Sequence, residues 1–331
     1  MTRRRALLFA FAGASAAFSW AAFAQSPVKI HRVGVLRPTA APVVKSDNPT
    51  DQALIDQLAR LGYVEGRNLR IDTWYADGDP ARLPALAREL VASRPDVIIA
   101  VSAAPIRAAM AATRTIPIVM YGNFDPVASG FVASLARPGG NVTGVLIAPY
   151  GTLGAKKLEI LKEVVPKARR IAVLAPEDPN SAREQLPELQ RAARVLGVEL
   201  AVVALRGDDY ADAFARIAAA HPDALFVISS TYFVRDRHVI MKLANRYRLP
   251  AIWEWREQAV DGGLLAYGSS LVERGQRIAD FVDRIIKGAD PAGIAVDQPT
   301  KFGLVVNLKA ARAIGLTVPQ SVLLRADEVI Q

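Results

Sequence analysis

The side chains of this 331-residue sequence that could hold a small polar molecule cluster at the ends of apolar runs. Ser102 and Ser229 each close such a run, and each can donate a hydroxyl to a ligand or cap the helix that follows. Asp125 lies in Gly122-Asn123-Phe124-Asp125-Pro126. There it can hold an amine, with Asn123 beside it, or simply start a helix as an Asp-Pro pair. Asn180 is expected to cap a helix whose free amides favour a carboxylate or other anion. Tyr232, just past Ser229, is placed to wall the same site. In Trp253-Glu254-Trp255-Arg256 both tryptophans share one face of an extended strand end. Trp255 is expected to stack on ligand and Trp253 to join the core. Arg256 can grip an acid bidentately or pair with Glu257. Asp125 and Arg256 would then supply opposite charges from opposite sides, as suits an amino acid or a related carboxylate.

Residues for catalysis are scarce. Of the three histidines, His31 precedes the first strand, His221 sits at a strand start away from the strand-end face, and His238 falls on a helix. No His-Glu-x-x-His or comparable metal spacing exists, and a nucleophile lacks an obvious base. Gly151-Thr152-Leu153-Gly154-Ala155-Lys156-Lys157 lacks the spacer and the hydroxyl residue of a phosphate loop, and no Gly-x-Gly-x-x-Gly follows a strand. The chain is therefore read as a binder with no catalytic residue, metal or cofactor. The alternatives are a two-domain enzyme using Asp125 and Glu254 as acid and base, and a ligand-sensing module. The second would need a DNA-binding headpiece.

The elements that must position these residues alternate between strand and helix. Val33-Gly34-Val35-Leu36 and Asp96 to Val101 read as strands. Between them, Asn48-Pro49 opens a helix with Leu54, Ile55, Leu58 and Leu61 on one stripe, and Asp79-Pro80 opens another. Such alternation specifies parallel sheets with right-handed crossovers. The second half then repeats the punctuation of the first. Val33 to Pro38 is echoed by Ile171 to Pro176, and Arg94-Pro95-Asp96 leading to Ser102 by His221-Pro222-Asp223 leading to Ser229. Ile116-Pro117-Ile118-Val119 is echoed by Leu249-Pro250-Ala251-Ile252. The expected fold class is α/β: two similar doubly wound parallel-sheet lobes joined by a multi-strand hinge, with ligand at the carboxyl ends of the strands, where the sheets face each other.

Arg3, Arg4 and Arg5 precede an apolar run from Ala6 to Trp20, and Ala22-Phe23-Ala24 places small residues before Gln25. That order reads as an export signal spanning 1–24 and cleaved near Ala24/Gln25. The run is short for a membrane span. The absence of cysteine excludes disulfides and thiolate metal sites. Net charge is +9, a third of it from the three N-terminal arginines, and the remaining arginines are interspersed with acids. A solvated surface follows, and no nucleic-acid partner is expected.

Three segments carry a family resemblance: Leu61-Gly62-Tyr63-Val64-Glu65-Gly66-Arg67-Asn68; Asp125-Pro126-Val127 with Leu135 to Gly144; and Gln298-Pro299-Thr300-Lys301-Phe302 through Asn307-Leu308-Lys309 to Arg325-Ala326-Asp327-Glu328-Val329-Ile330. By these the chain resembles the ABC-transporter substrate-binding proteins allied to the tryptophan/tyrosine-type binding proteins, of type I periplasmic-binding fold. The resemblance implies a periplasmic, monomeric receptor that delivers a small-molecule ligand to an inner-membrane ABC permease and its ATPase. The loop Arg37-Pro38-Thr39-Ala40-Ala41-Pro42 departs from the family's run of small polar residues and should line the cleft, which brings Thr39 to the ligand. The expected lobes are 28–143 with about 267–298, and 146–264 with about 304–331; crossings fall near 141–145, 264–268 and 300–306.

Overall fold

Short β-branched runs without polar alternation can be buried on both faces only if helices cover both sides of their sheet. A computed structural model of the chain describes residues 29–41, 48–147, 153–176 and 185–331. The expected export segment and Asn180 lie outside the described residues.

The first sheet holds β1 (His31–Arg37), β2 (Leu69–Tyr75), β3 (Val97–Val101), β4 (Ile118–Gly122) and β5 (Val142–Leu146). Its order is β2-β1-β3-β4-β5, parallel throughout. Helices α1 (Pro49–Arg60), α2 (Leu83–Ala92) and α3 (Ala103–Ala112) connect these strands. Asn48 caps α1 as expected, its side-chain Oδ1 accepting from the amides of Thr50 at 3.1 Å and Asp51 at 3.4 Å, with Pro49 at the first helical position. Asp79-Pro80 starts a 3₁₀ turn over Pro80–Arg82 that runs directly into α2.

The second sheet holds β6 (Arg170–Ala175), β7 (Glu199–Ala204), β8 (Ala224–Val227), β9 (Ala251–Trp253), β10 (Leu265–Gly268), β11 (Gly303–Asn307) and β12 (Glu328–Ile330). Its order is β12-β11-β10-β9-β8-β6-β7, and only the β10–β11 pair is antiparallel. Around it lie α4 (Leu153–Val164), α5 (Leu186–Leu196), α6 (Tyr210–Ala219), α7 (Thr231–Arg235), α8 (Arg237–Arg246) and α9 (Arg256–Val260). Next in the chain, α10 (Leu271–Ile286) returns to the first sheet. There Ile278, Phe281 and Val282 join the core formed by Val33, Val35, Leu54 and Leu58. Two short helices, α11 (Leu308–Ala313) and α12 (Gln320–Leu323), complete the second side.

The repeated punctuation has one physical cause in both halves. Arg94 and His221 both take left-handed backbone, φ 54° and 47°, ahead of a proline. The next residue, Asp96 or Asp223, then turns its carboxylate onto the start of the neighbouring strand. Asp96 accepts from the Arg32 amide at 2.7 Å, and Asp223 from those of Arg169 at 2.7 Å and Arg170 at 2.9 Å. Likewise the carbonyl of Pro117 accepts from Ile98 at 2.9 Å and that of Pro250 from Leu225 at 2.8 Å. Each X-Pro pair sets the register of a central strand.

Segment 141–145 carries most of β5, 264–268 carries β10, and 300–306 carries most of β11. The chain leaves the second sheet between β10 and α10, where the Ser269 hydroxyl donates to the Ile147 carbonyl at 3.0 Å. It stays bound to the first sheet at Asp297, whose amide donates to Gly144 at 2.8 Å, before entering β11.

Candidate ligand-binding cleft

Successive parallel strands deliver their carboxyl ends to one edge of a sheet, and here both sheets turn that edge toward a shared cavity of about 560 Å³. Arg37 and Tyr75 come from the last residues of β1 and β2, Ser102 from just past β3, and Tyr121 and Asn123 from the end of β4. Across the cavity stand Ser229 and Tyr232 beyond β8 and Trp255 beyond β9. Tyr75, Tyr121, Phe124, Tyr232 and Trp255 give it aromatic walls.

Six of the residues singled out from the sequence line this cavity: Thr39, Ser102, Asn123, Ser229, Tyr232 and Trp255. Thr39 is buried in the loop after β1, and its carbonyl accepts from the Asp77 amide at 3.3 Å. Ser102 precedes α3 with φ 73° and ψ 165°, a region L-residues rarely occupy, and its side chain makes no capping bond to the helix. Ser229 does not cap either. Its backbone is held by the Gln185 side chain, at 2.9 Å to the carbonyl and 3.2 Å to the amide, while Ser230 caps α7 through the Tyr232 amide. The two tryptophans part company: Trp253 is fully buried in the core of the second sheet, and Trp255 packs with Ile147, Val234 and Leu271 at the base of the cavity.

Asp125 and Arg256 do not line the cavity. The Asp125 carboxylate accepts from the amides of Val127 at 2.9 Å and Ala128 at 3.0 Å, the local turn that an Asp-Pro pair favours. Arg256 faces away at the start of α9 and forks onto Glu328, not Glu257, at 2.5 and 2.8 Å. The two therefore do not meet a ligand from opposite sides of this cleft. Glu254, the other half of the acid–base alternative, is buried in an ion pair with Lys157 at 2.9 Å, with the Lys157 ammonium 4.8 Å from the centre of the Phe226 ring. His238 reaches the cavity rim.

The charges that do line the cavity come from elsewhere. Arg37 pairs with Asp51 and lies 3.5 Å from the Tyr121 hydroxyl. Burial opposes its charge, but Tyr121 and Asp51 outweigh burial and hold its pKa above the ordinary guanidinium range. Burial likewise pushes the Tyr121 phenol up. Arg235 pairs with Asp236 at 2.6 Å and Asp208 at 3.1 Å, and Asp236 also accepts from the Tyr210 hydroxyl at 2.6 Å. Arg274, from the first turn of α10, is only 6% exposed. Its guanidinium lies 5.4 Å from the Trp255 ring and 5.9 Å from the Tyr121 ring, and Nε and Nη2 have no hydrogen-bond acceptor. Burial pulls its pKa down, partly offset by Tyr121, Glu254 and Glu257.

Sequence reasoning placed Arg37 in the loop expected to line the cleft but gave it no role, and it missed Tyr121 and Arg274. The first two stand at strand ends and obey the rule that found Ser102. Arg274 carried no signal, because an arginine in an amphipathic helix looks like a solvated surface residue until the chain returns that helix to the cleft. Among the described residues no group of histidine, acidic or cysteine side chains could hold a metal ion, and no helix is long and apolar enough to cross a membrane.

The family model for ABC transporter substrate-binding proteins matches residues 40–330. The chain belongs to that family. It is 26% identical over 265 residues to the tyrosine-binding protein of Clostridioides difficile, covering 80% of this chain and 76% of the relative. Among solved structures, a conserved domain protein from Vibrio cholerae superposes with a TM-score of 0.80 at 28% identity, over 91% of this chain and 100% of the other. A Streptococcus pneumoniae ABC domain in complex with L-Trp superposes with a TM-score of 0.78 at 24% identity, again over 91% and 100%. The two-sheet fold with its strand-end cleft is thus the type I periplasmic-binding fold, and the chain is a substrate-binding protein that takes a small molecule.

Proposed function

We propose that this protein is the exported solute receptor of an ABC importer, holding one small molecule between its lobes for delivery to a membrane permease and its ATPase, and that it catalyses no reaction. The observation that carries the proposal is a cavity lined from both sheets, of a volume suited to a metabolite. Its lobes are read as 28–143 with about 267–298, and 146–264 with about 304–331, acting as a monomer in the periplasm after loss of 1–24. Hydroxyl, amide and aromatic groups at equivalent strand ends suit a ligand with an apolar body and a polar head. The tyrosine-binding relative supports an amino acid or related carboxylate.

Purified protein should release a stoichiometric small molecule on denaturation, detectable by mass spectrometry. Returned to stripped protein at about 100 times its dissociation constant, that molecule should stabilise the fold by roughly 2.7 kcal/mol. A melting temperature unmoved by any molecule so released would count against a receptor role.

A further inference from the structure

Every carboxylate that lines the cavity among the described residues is already engaged. Asp51 is bound by Arg37, and both Asp208 and Asp236 by Arg235. One buried cation has no such counterpart. Arg274 lines the same cavity, more than nine-tenths buried; its Nε and Nη2 are closed in without an acceptor, which leaves Nη1 as the nitrogen open to a ligand. Glu254 and Glu257, whose charges act on it, form no salt bridge with it. Glu254 gives Oε2 to Lys157, and burial pushes the Glu257 carboxyl up toward its neutral form. The Trp255 and Tyr121 rings close on the guanidinium and offer π-faces, which attract a cation but do not accept its hydrogen bonds in plane. A desolvated charge in this state is costly unless an anion joins it.

We infer that Arg274 anchors a carboxylate of the ligand and that the ligand brings no ammonium ion with it, so the site takes an aromatic or apolar carboxylic acid and discriminates against the corresponding amino acid. This rests on the reading of the cavity as the ligand site. An α-ammonium group would enter a cavity whose acids are each held by an arginine, and would stand against the positive charge of Arg274, which no salt bridge holds. A carboxylate alone neutralises that charge, while the surrounding aromatic rings receive its apolar body.

Calorimetric titration of the full chain, stripped of ligand by unfolding and refolded, separates these possibilities with three probes of one skeleton: 3-phenylpropionate, L-phenylalanine and 2-phenylethylamine. The expected result is that 3-phenylpropionate binds at least about tenfold tighter than L-phenylalanine, with no binding of the amine. Arg274→Gln should weaken 3-phenylpropionate by about 30-fold or more, the loss typical of a buried charge pair. The empty Arg274→Gln protein should melt no lower than the wild type, because the substitution removes a buried charge that no salt bridge holds. Should that variant fail to fold, the ranking of the three probes on the wild type still decides.

Equal or tighter binding of L-phenylalanine, no binding of 3-phenylpropionate, or unchanged affinity in Arg274→Gln would each overturn the inference and leave the cleft reading intact. Affinity for 3-phenylpropionate unaltered by Trp255→Ala would place the probe outside the cavity and remove the reading beneath it.

Discussion

Lys157 and Glu254 form a buried ion pair, each side chain only 2% exposed. Removing one member of such a pair strands the other without water or partner. Lys157→Met should therefore destabilise the fold by about 3–5 kcal/mol, and adding Glu254→Gln should recover much of that loss. Denaturant unfolding of the three proteins measures it; a single and a double variant equally unstable would mean that packing, not charge, dominates there.

Glu257 holds its carboxyl in the first turn of α9. Burial raises its pKa above the ordinary value, opposed by its own backbone amide, Arg274 and Arg256. A raised folded-state value means that stability is greatest below the unfolded pKa and declines as pH rises through the folded one. Glu257→Gln should accordingly melt higher than the wild type at neutral pH, and the two curves should converge in acid, below about pH 4. Melting scans across pH test the sign; a variant less stable at pH 7 contradicts it.

Strand-end residues such as Ser102, Asn123, Ser229 and Trp255 were legible because chain direction alone brings them to one edge of a sheet. Asp125 and Arg256 were misread for a common reason: each satisfies its charge locally, on the Val127 and Ala128 amides in one case and on Glu328 in the other. A sequence displays the charge but not the partner that consumes it.

At the scale of elements, periodicity and turn punctuation located the parallel core of each sheet, since X-Pro-Asp before a buried run marks where β3 and β8 begin. The expected lobe bounds put about 267–298 with the first lobe, although the amphipathic stripe of α10 taken alone would pack equally well on either. What seats it is Gly275. A Cβ at that position would lie 2.3 Å from the Thr50 carbonyl and 2.8 Å from the Ala53 side chain, so α1 and α10 cross there nearly backbone to backbone. Gly→Ala in an exposed helix interior normally stabilises by about 1 kcal/mol. Gly275→Ala should instead destabilise by about 1–3 kcal/mol, the usual cost of overpacking. A shift of the urea midpoint upward would show that the two helices can separate at no cost. Because the first turn of α10 also carries Arg274, the variant should weaken ligand binding as well.

For the whole molecule, a cavity built from two sheets becomes a binding site only to the extent that the lobes meet across it. Ligand then stabilises the arrangement in which both walls touch it, and the shift in population is set by that differential affinity. Among the described residues, the chain passes between the sheets from β10 to α10 and from Asp297 to β11. Small-angle X-ray scattering on the stripped full chain, before and after adding back the molecule released from it, tests this closing-cleft account most directly. The account predicts that the radius of gyration falls on addition and recovers when the ligand is removed; an unchanged radius at saturating occupancy would contradict it.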